Sequence, residues 1–295
     1  MRSRSMSRVR FLQKLVFVIP ALFFFTVFVI YPFFSSIRYS FTQWDGVSEP
    51  NYIGWGNYLR LLSDSSFLAA IKNTMIFALA NIVLGNPLAL ILALLLYRRF
   101  PGRDALRTVF YLPAVISLMV ISIIWGSILN YNGPVNGFLS LLGLGGITQD
   151  WLSGMNTVMP SLVLILLWQG TGYGAIIYIA GLESIPQEIN EAALIDGVNV
   201  WTRFWHVTLP LLMPSVTIVT FLGLSGSLKI FDLPYIMTHG GPGNASVTLA
   251  MKVYTQAFQD SNFGYATASG LVLFLFVLVV SVLQTTLTRK REVEY

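Results

Sequence analysis

Six stretches of this chain are apolar over the length a helix needs to cross a bilayer: about 15–34, 71–96, 109–129, 158–180, 215–234 and 266–287. A hydrocarbon phase offers no partner for backbone N–H and C=O groups. A segment lying in it must satisfy its own backbone, and runs of about 20 residues do so as helices. Hydrophobic residues make up 55% of the chain and mean hydropathy is +0.69, above the soluble norm of about 45–50% hydrophobic. The expected fold is therefore all-α: a polytopic membrane protein with six transmembrane helices, in one integral domain spanning residues 15–288.

The first apolar run follows Arg2, Arg4, Arg8, Arg10 and Lys14, an arrangement shared with secretory signal peptides. It is of span length, and no small-residue cleavage site follows it, so it stays as span one. Six spans put both termini on one side. The N-terminal segment 1–14, the loop after span two (Arg98, Arg99, Arg103, Arg107), the loop after span four (Arg203) and the tail 289–295 hold thirteen of the eighteen Lys and Arg residues. The positive-inside rule places that set, and both termini, in the cytoplasm. The charge of +5 collects beside spans and is no nucleic-acid footprint.

Several chemistries find no residues here. There is no cysteine, hence no disulfide framework. No G-x-x-x-x-G-K-[ST] sequence offers a P-loop. His206 and His239 fall on predicted opposite sides without metal-ligand spacing, and no catalytic constellation is visible. No cofactor, metal or catalytic residue is expected on this chain. The absence of an internal repeat, and of Asp, Glu or His inside spans one to four and six, argues against an ion-coupled secondary carrier.

Polar groups inside the spans show where the helices meet protein. Span two carries Asn73, Asn81, Asn86 and Pro87, so one of its faces should pack on neighbouring helices. Span four is interrupted by Gln169, Gly170, Thr171, Gly172 and Gly174; the glycines suit close packing, whereas Gln169 and Tyr173, beside Trp168, suit a cavity wall. Lys229 and Asp232 are three apart near the outer end of span five and could pair. The apolar piece 138–144 is too short to span and should lie at the surface.

Residues 181–214, GLESIPQEINEAALIDGVNVWTRFWHVTLPLLMP, are charged where the rest is greasy: Glu183, Glu188, Glu191 and Asp196 fall within fourteen residues. Ser184 and Gln187 have capping-box spacing, and Pro186 suits a helix's first turn. Ile185, Ile189, Ala192 and Ala193 make a narrow apolar face. Gly197 fits the left-handed position just past a helix end, and Asn199 can cap a second short helix. The expected object is a knob of two short helices that fits a socket.

Glu191-Ala192-Ala193, then Gly197, then Val207-Thr208-Leu209-Pro210 resemble the EAA loop of ABC importer permeases, with Val207 in place of the usual isoleucine. The segment Thr238–Gly243, THGGPG, resembles the TxGGP stretch of sugar permeases, and Phe263-Gly264-Tyr265-Ala266 resembles that subfamily's lead into its last span. The resemblance covers nearly the whole chain. It implies the first of two permease subunits of a carbohydrate importer, the maltose and glycerol-phosphate type, in a bacterial or archaeal cell (inner) membrane.

It further implies a second permease subunit, two copies of an ATP-binding subunit that hold ATP and Mg, an extracytoplasmic solute-binding protein, a sugar substrate and alternating access. The coupling residues it implies are Glu188, Glu191, Ala192, Ala193, Asp196, Gly197, Leu209 and Pro210. For the pathway, hydrogen-bonding and aromatic side chains at membrane depth nominate Ser117, Ser122, Trp168, Gln169, Tyr173, Ser225 and Ser227. A permease for glycerol phosphate or an amino acid is the alternative. Scarce basic residues near the path favour a neutral sugar.

Overall fold

The computed structural model describes residues 17–292, so the basic segment 1–14 and the last three residues lie outside it. The described residues are all-α apart from one two-residue pairing, Thr42–Gln43 with Asn51–Tyr52. Four helices are long and apolar enough to cross a membrane singly: α1 (Phe17–Tyr39), α3 (Ser65–Tyr97), α7 (Val158–Ser184) and α13 (Phe263–Arg289). Two bent pairs supply the others. These are α4 (Arg103–Val115) with α5 (Leu118–Ile128), bent by 98°, and α9 (Val200–Leu211) with α10 (Met213–Leu228), bent by 68°. Shorter helices connect them: α2 (Gly56–Ser63), α6 (Pro134–Leu141), α8 (Gln187–Ile195), α11 (Asp232–Thr238) and α12 (Leu249–Tyr254).

Three of the expected spans come out differently. Span three is not one rod: Ile116 and Ser117 are extended, with ψ of 136° and 143°. Span five ends at Leu228, so Lys229 caps α10 and Asp232 opens α11. They share no helix, and no ion pair joins them among the described residues. Span four, read as interrupted by polar residues and glycines, is one unbroken helix, with Gly172 and Gly174 at close-packing positions as expected.

Three prolines inside the spanning helices are handled alike. Just before Pro32, Pro87 and Pro210 the helix widens into a π turn, at Thr26–Ile30, Asn81–Gly85 and Phe204–Thr208. Proline lacks the N–H of an i→i−4 bond, and its ring crowds the carbonyl four residues back. In each case the residue before the proline donates one position further back, to Thr26 O, Asn81 O and Phe204 O.

The chain forms two compact units. One comprises the described residues up to Leu62 together with 253–272. There buried Asn57 donates to Ser40 O and Thr42 O, both at 2.8 Å. Gly264 donates to Trp44 O, and a Cβ on it would lie 1.9 Å from Thr42 O. Asp45 accepts from Val47 N, Ser48 N and the Ser48 hydroxyl. Those donors, Val47 foremost, hold this exposed carboxyl down to about 2.

The other unit comprises residues 63–252 and 273 onward and contains α3–α11. At its basic end Ala89, Ala93 and Leu96 of α3 pack with Ala175, Tyr178, Ile179 and Leu182 of α7 and with Leu212 and Val219. At the opposite end Phe77, Ile121, Leu129, Leu162, Ile165 and Leu233 form a second core. The polar face of α3 lies inward. Asn86 accepts from the Tyr178 hydroxyl (3.0 Å) and donates to Thr220 Oγ1 (3.2 Å). Asn73 donates to Asn244 O and Val247 O, both at 2.9 Å.

Close helix approach depends on α7. A Cβ on Gly172 would lie 1.8 Å from the Phe110 carbonyl oxygen of α4, and one on Gly174 would lie 2.9 Å from Ala89 Cβ of α3. Gly170, on the same helix, has nothing within 4 Å. Gly172→Ala should therefore push α4 away and destabilise the protein by about 1–3 kcal/mol. Gly170→Ala should be neutral or slightly stabilising. Thermal unfolding of the detergent-solubilised variants checks this; equal melting temperatures would show that α4 moves freely.

Candidate functional site

The 181–214 stretch folds as two short helices joined at Gly197. Helix α7 ends at Ser184, whose hydroxyl donates to Gly181 O, and Ile185 turns extended. Helix α8 follows Pro186. Its Gln187 amide reaches forward to the Glu191 carboxylate (2.8 Å). Glu188, Glu191, Ala192 and Asp196 are exposed, while Ala193 is buried and Ile195 is 86% exposed. Gly197 takes φ +70°, and Val198 N and Asp196 N close on the carbonyls of Ala193 and Ala192. This is the left-handed helix stop that glycine accommodates without a Cβ clash.

Asn199 Oδ1 then caps α9, accepting from Thr202 N at 2.8 Å. Helix α9 presents Trp201, 71% exposed, and Trp205, edge to face at 5.7 Å. Leu209 and Pro210 are half-buried at its end, and Leu212 drops completely into the α3–α7 core. The stretch is thus anchored at both ends and free in the middle. Arg107, which sequence reading placed only in a basic loop, adds a tie: it donates to Leu96 O and to Glu183 Oε1, both at 3.3 Å.

The second group of candidates surrounds the break between α4 and α5. Ser117 caps α5, accepting from Val120 N (3.4 Å), and the Gln169 amide lies 3.5 Å from the carbonyl of Ile116. Gln169 thus faces a carbonyl at the break between the two helices. Trp168, 43% exposed, lies edge to face with Trp125 at 5.5 Å. These side chains converge.

The remaining serines behave otherwise. Ser122 and Ser227 are buried and donate back to Leu118 O and Gly223 O on their own helices, which leaves only an acceptor lone pair for a ligand. Ser122 lines an open cleft of about 510 Å³ with Ser127, Asn130 and Asn132. Ser225 is half-buried, and among the described residues no hydrogen bond joins it or Ser227 to Gln169 or Tyr173.

Tyr173, 46% exposed, lines a smaller cavity of about 140 Å³ with Asn81, Asn86 and Thr171. The two asparagines were legible as polarity in span two, but not as one wall. Five residues apart, they would point about 140° apart on a regular α-helix. The π turn Asn81–Gly85 brings them to the same cavity. Among the described residues no three His, Cys, Asp or Glu side chains converge as a metal site.

The family described as binding-protein-dependent transport system inner membrane component matches residues 85–293. Three relatives align over nearly their full length. The probable starch degradation products transport system permease protein AmyD of Thermoanaerobacterium thermosulfurigenes is 39% identical, covering 95% of this chain and 94% of its own. The multiple sugar-binding transport system permease protein MsmF of Streptococcus mutans is 38% identical, covering 94% and 95%. The lactose transport system permease protein LacF of Rhizobium radiobacter is 35% identical, covering 94% of each. Among solved structures, a chain of a bacterial ABC transporter that imports the acidic polysaccharide alginate superposes with a TM-score of 0.84 at 23% identity, covering 98% of this chain and 99% of that one; it shares the fold.

Gly197→Leu would force a Cβ into the left-handed region, at a local cost of about 1–2 kcal/mol, with open space around it. Amide hydrogen exchange across 187–203 should speed up while exchange in the α3–α7 core is unchanged. Unchanged exchange in 187–203 would mean that the turn does not depend on glycine.

Proposed function

This chain belongs to the family of binding-protein-dependent transport system inner membrane components, and from that membership we propose that it forms half of the translocation pathway of an ATP-driven sugar importer. It is a multi-pass membrane transport subunit, not an enzyme. The proposed partners are a second permease subunit, two copies of a cytoplasmic ATP-binding subunit that hold ATP and Mg, and an extracytoplasmic solute-binding protein. Its membrane is a bacterial or archaeal cell membrane, with both termini in the cytoplasm.

The observation that carries this reading is the exposed knob α8–Gly197–α9, hung between two spans and ending in Leu212 within the core. A rigid knob with its outer face unburied suits a cleft on an ATPase. Glu188, Glu191 and Asp196 supply its charge, Ala192 and Ala193 its narrow face, Gly197 its angle, and Leu209-Pro210 its join to α10. Closure of the ATPase dimer on ATP moves the knob, and the Leu212 anchor passes that motion to α3 and α7. The pathway then opens outward by alternating access.

A neutral sugar is supported by the names of the relatives, which transport starch degradation products, multiple sugars and lactose. It is supported as well by the chemistry of the candidate wall, where Trp168 and Tyr173 offer aromatic faces and Gln169, Asn81 and Asn86 offer hydrogen bonds. Lys229 is exposed at the end of α10 and is the one basic residue near that span's end. Because the structurally similar alginate importer handles an acidic polysaccharide, the fold does not choose between neutral and anionic cargo.

Sidedness is tested by single cysteines. Ile195→Cys on α8 should be labelled by a membrane-impermeant maleimide only from the cytoplasmic face, and Leu141→Cys on α6 only from outside. Labelling of both from one face would overturn the topology. Cargo is tested by uptake in the reconstituted complex: Tyr173→Ala should abolish sugar transport with assembly intact, whereas Lys229→Gln should change it little. The reverse pattern points to an anion.

A further inference from the structure

The largest cavity described shares Asn86 with the cavity beside Tyr173 and Leu209 with the 181–214 stretch. It is a groove of about 970 Å³ walled by the Pro87–Tyr97 part of α3, by the end of α7 and by α9, including Leu90, Leu94, Tyr97, Leu182, Trp201 and Phe204. Its lining is apolar along its length, with Asn86 and Thr220 at the inner end and Arg98 and Arg203 at the other. No Asp or Glu lines it. Among the described residues neither arginine is in an ion pair.

Size, polarity and charge sort together. The twelve residues of α3 from Asn86 to Tyr97 rise about 18 Å, close to the thickness of one leaflet of a hydrocarbon core about 30 Å across. The deep part is therefore an apolar trough at acyl-chain depth. The mouth carries Trp201, Trp205 and two unpaired guanidinium groups at the level of lipid headgroups, where tryptophan and arginine are both favoured. Apolar walls ask for hydrocarbon; two arginines without a counter-ion ask for an anion. One molecule supplies both.

We propose that this groove binds an anionic glycerophospholipid of the cytoplasmic leaflet, its acyl chains along α3 and its phosphate between Arg98 and Arg203. One wall is α9, the second half of the knob, and another is α3. The bound lipid therefore braces the knob against the spans, and the anionic lipid content of the membrane sets how firmly it is held.

The test uses the full chain assembled with its partner subunits, stripped of lipid in detergent and titrated with phosphatidylglycerol or phosphatidylcholine while binding is followed by native mass spectrometry. The first phosphatidylglycerol should bind tightly. The double variant Arg98→Gln, Arg203→Gln should weaken that binding about thirtyfold and leave phosphatidylcholine binding unchanged. Leu94→Trp, which fills the trough and keeps both arginines, should also displace the lipid. In the unaltered complex, phosphatidylglycerol with brominated chains should quench tryptophan fluorescence more than brominated phosphatidylcholine does, and the double variant Trp201→Phe, Trp205→Phe should remove the difference. Equal affinity for the two lipids, or wild-type affinity in either variant, overturns the proposal. So does cross-linking of Leu94→Cys to the second permease subunit, which would assign the groove to protein.

Discussion

The structure depends on close helix approach at the glycines of α7. Gly172 admits the Phe110 carbonyl of α4, and Gly174 admits Ala89 of α3, at separations no side chain would allow. In a bilayer, apolar surface gains little by leaving lipid, so helices hold together through dispersion at close range and through hydrogen bonds. Glycines on one helix therefore bring α3 and α4 to the same axle. The α3–α7 core, the small cavity beside Tyr173 and the anchor for Leu212 all lie along that axle.

Polar side chains in the spans repair what the spans break. The α4–α5 bend frees a carbonyl at Ile116, and Gln169 faces it. The TxGGP-like loop turns with Gly240 and Gly243 at positive φ, and Asn73 on α3 satisfies two of the carbonyls that follow. Asp64 caps α3 and meets Lys252 at 3.0 Å, joining the start of that helix to α12. Each group lies where water is scarce and an orphaned backbone group would cost several kcal/mol. Polarity inside the spans is thus divided: Asn73 is consumed in packing, whereas Tyr173 and Asn81 line a cavity.

The 181–214 stretch is a loop held at its ends. Its ends are tied, by Arg107 to Glu183 at one side and by Leu212 in the core at the other. Its middle presents Ile195 and Trp201 to the outside. Any displacement of a segment so tied would reach the α3–α7 core to which it is anchored, because close-packed interiors resist compression.

How much was legible in the sequence follows from what each feature needs. Apolar runs of span length dictate helices because the backbone has no alternative partner in lipid. The left-handed stop at Gly197 and the cap at Asn199 are local chemistry, readable within a few residues. The spacing of Glu191, Ala192, Ala193, Gly197 and Leu209-Pro210 carried the family. The sequence could not show that span three is bent, since Ile116-Ser117 is apolar and unremarkable locally and the bend is held by Gln169, 53 residues away. Nor could it put Asn81 and Asn86 on one wall, because their α-helical spacing separates them and the π turn before Pro87 reunites them. It read Lys229 and Asp232 as a pair on one helix, whereas the chain leaves that helix between them. Sequence alone determined that the apolar spans and the 181–214 knob are helical and what family they form. Tertiary structure decided which polar groups are consumed in packing and which face a cavity, because that depends on which distant backbone atoms stand opposite them.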